Sequence, residues 1–224
     1  MRTFPLLGAV AVILGSRPAA ARAQAAPDTG AYAVAATILA TCNLRLGPAA
    51  ADTARAEELW AAGLWKLKDG DWRGLRQIRE AMRLDPHNGR YVSEYPLYLG
   101  AIGLRRESEA AYRAAIARQP DCRRNWYGLA SILEQAERFT EALEVRRRTA
   151  RAGAGWPPKW RAHESAMLGF LASRAGAHAL AVAYYTRALL VDSAVFERPG
   201  AGRLRARYEE SLRVAGPQPA AVEP

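Results

Sequence analysis

A recurrence of 34 residues constrains this chain more than any other feature. The stretch MRLDP ends at Pro86 and the stretch IARQP ends at Pro120, which is 34 positions on (120 − 86). The residues ahead of the two prolines align as well: Ile78 with Tyr112, Ala81 with Ala115, and Met82 with Ile116. A residue before proline is steered out of the α region, so each MRLDP-like stretch reads as a helix that stops in register. Downstream, Trp126, Leu129, Ala130 and Leu133 form one apolar stripe, which breaks at Ala136 to Phe139 and restarts with Ala142, Leu143 and Val145. Two short helices joined by a turn fit this spacing better than one long helix. A further unit follows with Ser165, Leu168, Gly169 and Ala172, then Gly176, Ala181, Tyr185 and Ala188, displaced by 39 positions (168 − 129). The extra residues fall near GAGWPPKW, where Gly and Pro pairs mark an irregular connection. An earlier unit keeps Gly63 and Gly70 in its first half and Gly74, Ile78, Ala81 and Pro86 in its second.

This pattern resembles the tetratricopeptide repeat, whose units carry W-x2-L-G-x2-Y in the first helix and A-x3-F, A and P in the second. The resemblance implies an all-α, right-handed solenoid of helix-turn-helix repeats, with units at about 55–88, 89–122, 123–156 and 162–195. Small residues then sit where two helices approach: Gly63, Ala130 and Gly169 in the first helices, Gly74, Ala142, Ala181, Ala81, Ala115 and Ala188 in the second. The chain departs from the pattern in three places. Pro96 falls in the first helix of the second unit, which is therefore expected to begin near Ser93 or Glu94. Glu137 replaces the usual turn glycine and Arg146 the usual aromatic in the third unit.

By the same resemblance the first helices line a concave groove that holds an extended peptide or a helix. Position by position, the third unit offers Arg124, Tyr127, Ser131 and Gln135 to that groove, and the fourth offers His163, Phe170 and Arg174. Arginines beside Tyr and Phe would suit a protein partner with carboxylate groups and an apolar anchor. The Lys and Asn of a two-carboxylate clamp are not reproduced, so a C-terminal peptide ligand is not implied. The function expected is a protein-protein interaction scaffold or accessory subunit of a membrane or envelope complex. The alternative is a self-assembling repeat protein, a homo-oligomer stacked through imperfect caps. The flanks read as those caps, with 29–54 a capping helix and linker and 200–215 a second helix carrying Leu204, Tyr208 and Leu212 at i, i+4 spacing. Residues 216–224 read as a disordered tail.

The start of the chain has the layout of a secretory signal over 1–25: Arg2, an apolar run from Phe4 to Gly15, then small residues. Cleavage fits after Ala23 or after Ala25, and the second is preferred because Pro27 and Asp28 then lie just inside the mature chain. The apolar run is far shorter than the roughly 20 residues of a membrane span, which argues against a retained anchor. LATC at Leu39 to Cys42 lies too far from that run for a lipidation signal. A periplasmic or secreted location is expected, with no integral membrane span in the mature chain. Losing Arg2, Arg17 and Arg22 takes the formal charge from +10 to +7, which favours acidic partners at long range. Nucleic acid is a poor partner for an exported protein.

Reactive constellations are missing from the sequence. His87, His163 and His178 lack metal-ligand spacing, and no phosphate loop, Gly-x-Gly-x-x-Gly or Gly-x-Ser-x-Gly occurs, so no catalytic residue, metal or cofactor is expected. Cys42 and Cys122 lie outside any Cys-x-x-Cys motif. An oxidising compartment permits a bridge between them, but two distant solenoid units would hold them too far apart, and isolated buried thiols are the favoured expectation. The run RRRTAR, Arg146 to Arg151, reads as a solvated face of a second helix. Trp60, Trp65, Trp72, Trp126, Tyr112, Tyr184 and Tyr185 read mostly as core, and Trp156 and Trp160 as packed into the irregular connection.

Overall fold

The computed structural model describes residues 40–151, 156–198 and 201–216. The signal segment, its cleavage points and the tail beyond Gly216 lie outside the described residues. Within them residues 40–43 are helical, and the helices that follow are α1 (Thr53–Lys68), α2 (Gly74–Leu84), α3 (Gly89–Ala101), α4 (Arg105–Arg118), α5 (Arg123–Gln135), α6 (Phe139–Arg151), α7 (Pro158–Arg174), α8 (His178–Val191) and α9 (Gly202–Ala215); no strand occurs among the described residues. They pack as sequential antiparallel pairs, α1 with α2, α3 with α4, α5 with α6 and α7 with α8, and each pair leans on the next. The last helix, α9, rests on α7 and α8.

The small residues explain how closely the pairs approach. In α2, Gly74, Leu75, Ile78 and Ala81 are buried at helical spacing on one stripe. A Cβ added at Gly63 would lie 2.7 Å from Ile78 Cγ1 and 2.8 Å from the Gly74 carbonyl oxygen, so α1 and α2 meet almost backbone to backbone. Helix α7 is buried around nearly its whole circumference from Glu164 to Ser173, because α6, α8 and α9 all cover it. The pairs build two apolar clusters. One surrounds Trp60, Ile78, Tyr91 and Leu99, with Trp60 stacked on Tyr91 at 4.2 Å between ring centres. The other runs from Tyr112 to Leu204.

Every turn within a pair closes in the same way. The residue two past the helix end has positive φ: Gly70 (80°), Gly103 (86°), Glu137 (58°) and Gly176 (79°). Its N–H and the next one bond back across the helix end, as in Glu137 N to Glu134 O (3.0 Å) and Arg138 N to Leu133 O (2.9 Å). This is the Schellman closure, which satisfies carbonyls the helix leaves open.

Several expectations are corrected. Helix α3 begins at Gly89, so Pro96 lies in its interior; the ring is fully buried, and Ser108 Oγ of α4 donates to the Pro96 carbonyl at 2.7 Å. The tertiary contacts hold a helix that proline alone would break. Trp65 and Trp72 are exposed, at 67% and 70%, because no pair precedes α1 and α2 among the described residues to cover them. On α9, Leu204 is buried and Tyr208 packs on Tyr185 and Phe196, but Leu212 faces solvent; the inward position belongs to Ser211, which donates to Ser173 Oγ at 3.0 Å.

Cys42 and Cys122 form a disulfide across 80 positions of sequence, with Cα atoms 4.7 Å apart. The reason is the route of the chain between Cys42 and α1. That segment runs backwards along the edge formed by the connections between pairs. Gln119 Nε2 donates to the Cys42 carbonyl (3.0 Å), Leu46 N donates to the His87 carbonyl (2.8 Å), and Arg45 makes two 2.8 Å bonds to the buried carboxylate of Asp85. Arg45 thereby holds the Asp85 carboxyl below its ordinary range. Position 42 therefore sits beside the start of α5 rather than beyond the first pair.

Glu137 is the one non-glycine residue with positive φ among the described residues, and Cβ atoms built at Gly70, Gly103 and Gly176 meet nothing within 4 Å. Backbone strain is thus isolated from packing at these positions. Glu137→Gly is expected to raise the unfolding free energy by about 1 kcal/mol, read from urea denaturation. An unchanged or lowered midpoint would contradict this account of the turn.

Candidate functional site

The seven residues assigned to the groove by resemblance lie on α5 and α7, and the structure gives most of them partners within the chain. Arg124 pairs with Glu94 of α3 at 3.6 Å and donates to Ser93 Oγ. The pair belongs to a longer alternation of charge, since Arg90 of α3 bonds Glu57 of α1. Burial pushes the Glu94 carboxyl up, against the pull of Arg124 and Arg90. Ser131 and Gln135 are exposed neighbours on α5, joined by a 3.4 Å hydrogen bond. His163 is exposed at the start of α7.

Tyr127 donates from its hydroxyl to Glu164 at 3.3 Å. Glu164, 7% exposed, is bonded by Arg146 at 2.8 and 3.3 Å, and the Arg146 guanidinium also lies 5.0 Å from the Tyr127 ring centre. Arg146 is thus not part of a solvated face: it stands in the place of an aromatic residue and is neutralised by a carboxylate from the next helix. Arg147, Arg148 and Arg151 are exposed. Phe170 is 6% exposed and belongs to the core, with Arg203 of α9 over its ring at 5.3 Å, so it offers no free anchor to a ligand. Arg174 lies over the Phe139 ring at 4.2 Å.

Sequence reasoning missed Glu57, Arg90, Glu94 and Glu164 as members of this face. One signal was available: Arg90 and Arg124 are separated by the repeat period itself, so they occupy the same place in successive pairs. The aromatic connection packs down as expected. Trp156 lies 6.2 Å from Trp160 and 6.5 Å from Tyr127 between ring centres, with Arg123 over its face at 4.6 Å. His87, His163 and His178 lie on separate elements; His178 Nδ1 is 3.3 Å from Ser211 Oγ.

The arrangement can present an ordered, mostly neutralised face, with Ser131, Gln135 and His163 as its exposed polar groups. The Glu164 node is structural. Removing one member of a buried ion pair strands the other charge, so Glu164→Ala is expected to cost about 3 kcal/mol in denaturant unfolding. The double replacement Glu164→Leu with Arg146→Met should recover much of that loss, and a double variant as unstable as the sum of its parts would argue against the pairing.

No protein-family model matches the chain, and no curated protein matches it. Among solved structures it is similar to the MamA RS-1 ArsTM double mutant, at 15% identity and a TM-score of 0.54, over 75% of this chain and 98% of that one. At that identity the likeness speaks to fold. With its helices packed in sequential pairs, this chain is an all-α solenoid of tetratricopeptide-like helix pairs.

Proposed function

We propose that this chain is an exported protein-interaction scaffold or accessory subunit, holding a segment of a protein partner on the face formed by α1, α3, α5 and α7. The observation that carries the reading is the sequential stacking of helix pairs, which leaves one helix of each pair on a continuous face where successive pairs contribute equivalent positions. Export is supported by the buried disulfide, because such bonds persist in oxidising compartments. Among the described residues no helix is long and apolar enough to cross a membrane. Binding is a matter of burying a segment on a preformed surface, with the net positive charge speeding encounter with acidic partners.

A photo-crosslinking side chain placed at Gln135 or His163 should capture that partner in whole cells. Ser131→Trp with Gln135→Trp, which put bulk on the exposed positions of this face, should weaken capture from His163 by about tenfold while helicity by circular dichroism stays unchanged. Undiminished capture by the double variant would reject this face as the contact.

Self-association has one observation in its favour, the exposure of Trp65 and Trp72 on the first pair. It requires the mature chain to form dimers or larger species at micromolar concentration in light scattering. A stable monomer there removes it.

A further inference from the structure

We propose that the opposite face carries a second contact, an anchor pocket between α4 and α6 that takes one bulky apolar side chain from an acidic segment of a partner. The inference rests on the scaffold reading but places the specific recognition elsewhere on the molecule. Helix α5 packs against both α4 and α6 and floors the gap between them. The gap is an open cavity of about 330 Å³ with Leu129 and Leu133 at its base, Ile116 and Val145 on its walls and Trp126 at one end. Ile116, Val145 and Trp126 are only half-buried, so apolar surface is left facing water in a concave place. The cavity is small for a docked helix and suited to a single aromatic or branched side chain.

Charge gives the pocket a direction. Along α6, Glu141, Glu144 and Arg148 line the cavity, and Arg151 follows three residues beyond Arg148 on the same stripe. At the acidic end Glu141 is already held by Arg138 at 2.6 Å and lies 3.7 Å from Arg113. At the other end, among the described residues, Arg147, Arg148 and Arg151 form no ion pair, whereas Arg113, Arg138 and Arg146 all do. Arg148 lies over the Trp126 ring at 5.8 Å, beside the mouth of the cavity. A cation in the last turn of a helix complements the dipole, and Glu144 stands four residues before Arg148, but three guanidiniums close together repel one another, so the cluster exceeds what the helix end alone calls for. Carboxylates following an anchored side chain would meet these guanidiniums in the geometry they bind best.

The test uses labelled peptide probes and fluorescence anisotropy on the mature, oxidised chain. One probe carries a Phe followed by a run of Glu, a second has Ala for the Phe, and a third has Lys for the Glu. The first should bind saturably, and the other two about tenfold more weakly or worse. Arg148→Glu with Arg151→Glu should weaken the first probe by about tenfold and improve the Lys probe, while Arg124→Glu with Arg174→Glu leaves both within about twofold. Equal binding of the Phe and Ala probes would remove the anchor. Loss in the Arg124 and Arg174 variant instead would move the site to the other face. No saturable binding, or capture only by phosphatidylglycerol vesicles, would overturn the proposal and assign the arginines to solvent or to a lipid surface. Failure of the probes with continued crosslinking from Gln135 and His163 would reject this pocket and leave the scaffold reading standing.

Discussion

The close approach of two helices within each pair is the constraint on which the rest depends. Where α1 meets α2, the Gly63 and Gly74 backbones touch, and a methyl group at Gly74 would collide with the Gly63 carbonyl oxygen. At the fourth pair, Gly169 lies under the Tyr185 ring, which a Cβ would approach to 2.9 Å. Such contacts fix the separation and angle of a pair before any neighbour is considered. The next pair then has a defined surface to cover, so stacking in sequence order follows from packing each pair against the last. The four Schellman turns serve the same end, because they reverse the chain in the fewest residues and satisfy the helix ends locally.

A stack of pairs has weak points where one pair meets the next. The first pair joins the second mainly through aromatic side chains, Trp60 against Tyr91 and Tyr98. The segment from Cys42 to Leu46 spans this region from outside, tied to Cys122 at one end and to the Asp85 and His87 connection at the other. Gly89 permits the route, since any side chain there would strike the Leu44 carbonyl and the Gln119 amide. Closing a loop of 80 residues removes chain entropy worth about 4 kcal/mol from the unfolded state. For a quasi-linear fold that gain matters, because a stack can otherwise open at an interface without unfolding as a whole.

The repeat was legible because it is written in residues whose reason is local. Glycines at 70, 103 and 176 mark left-handed turns, Ala81, Ala115 and Ala188 mark close contacts, and Pro86 and Pro120 mark helix stops. What escaped was decided by distant parts of the chain. Pro96 is a helix breaker by local rules and survives inside α3 because its ring is enclosed and α4 bonds its carbonyl. The separation of Cys42 and Cys122 was misjudged because it was measured along the stack, while the connecting segment doubles back beside it. Trp65 and Trp72 have core composition but end-unit positions, and their exposure depends on having no neighbour rather than on their own chemistry. Of the groove residues, a family register could place Arg124 and Tyr127 on one face, yet not reveal that Glu94 and Glu164 already meet them.

That last difference bears on how the molecule recognises anything. An arginine engaged by a carboxylate has already lost part of its hydration and gained a partner, so a ligand must break one interaction to make another and gains little net affinity. Arginines without an ion pair beside an unfilled apolar cavity begin from the opposite position: no carboxylate of the chain has to be displaced, and the cavity walls gain from any apolar group that displaces water. On this chain the first condition describes Arg90 and Arg124, and the second describes Arg148, which lines the cavity with Ile116 and Val145, with Arg151 three residues further along α6. The first-helix face is therefore suited to shape-led contact through Ser131, Gln135 and His163, where broad burial rather than charge sets affinity. Charge-led recognition belongs to the edge where α6 ends, and the two faces can be occupied together because α5 lies between them.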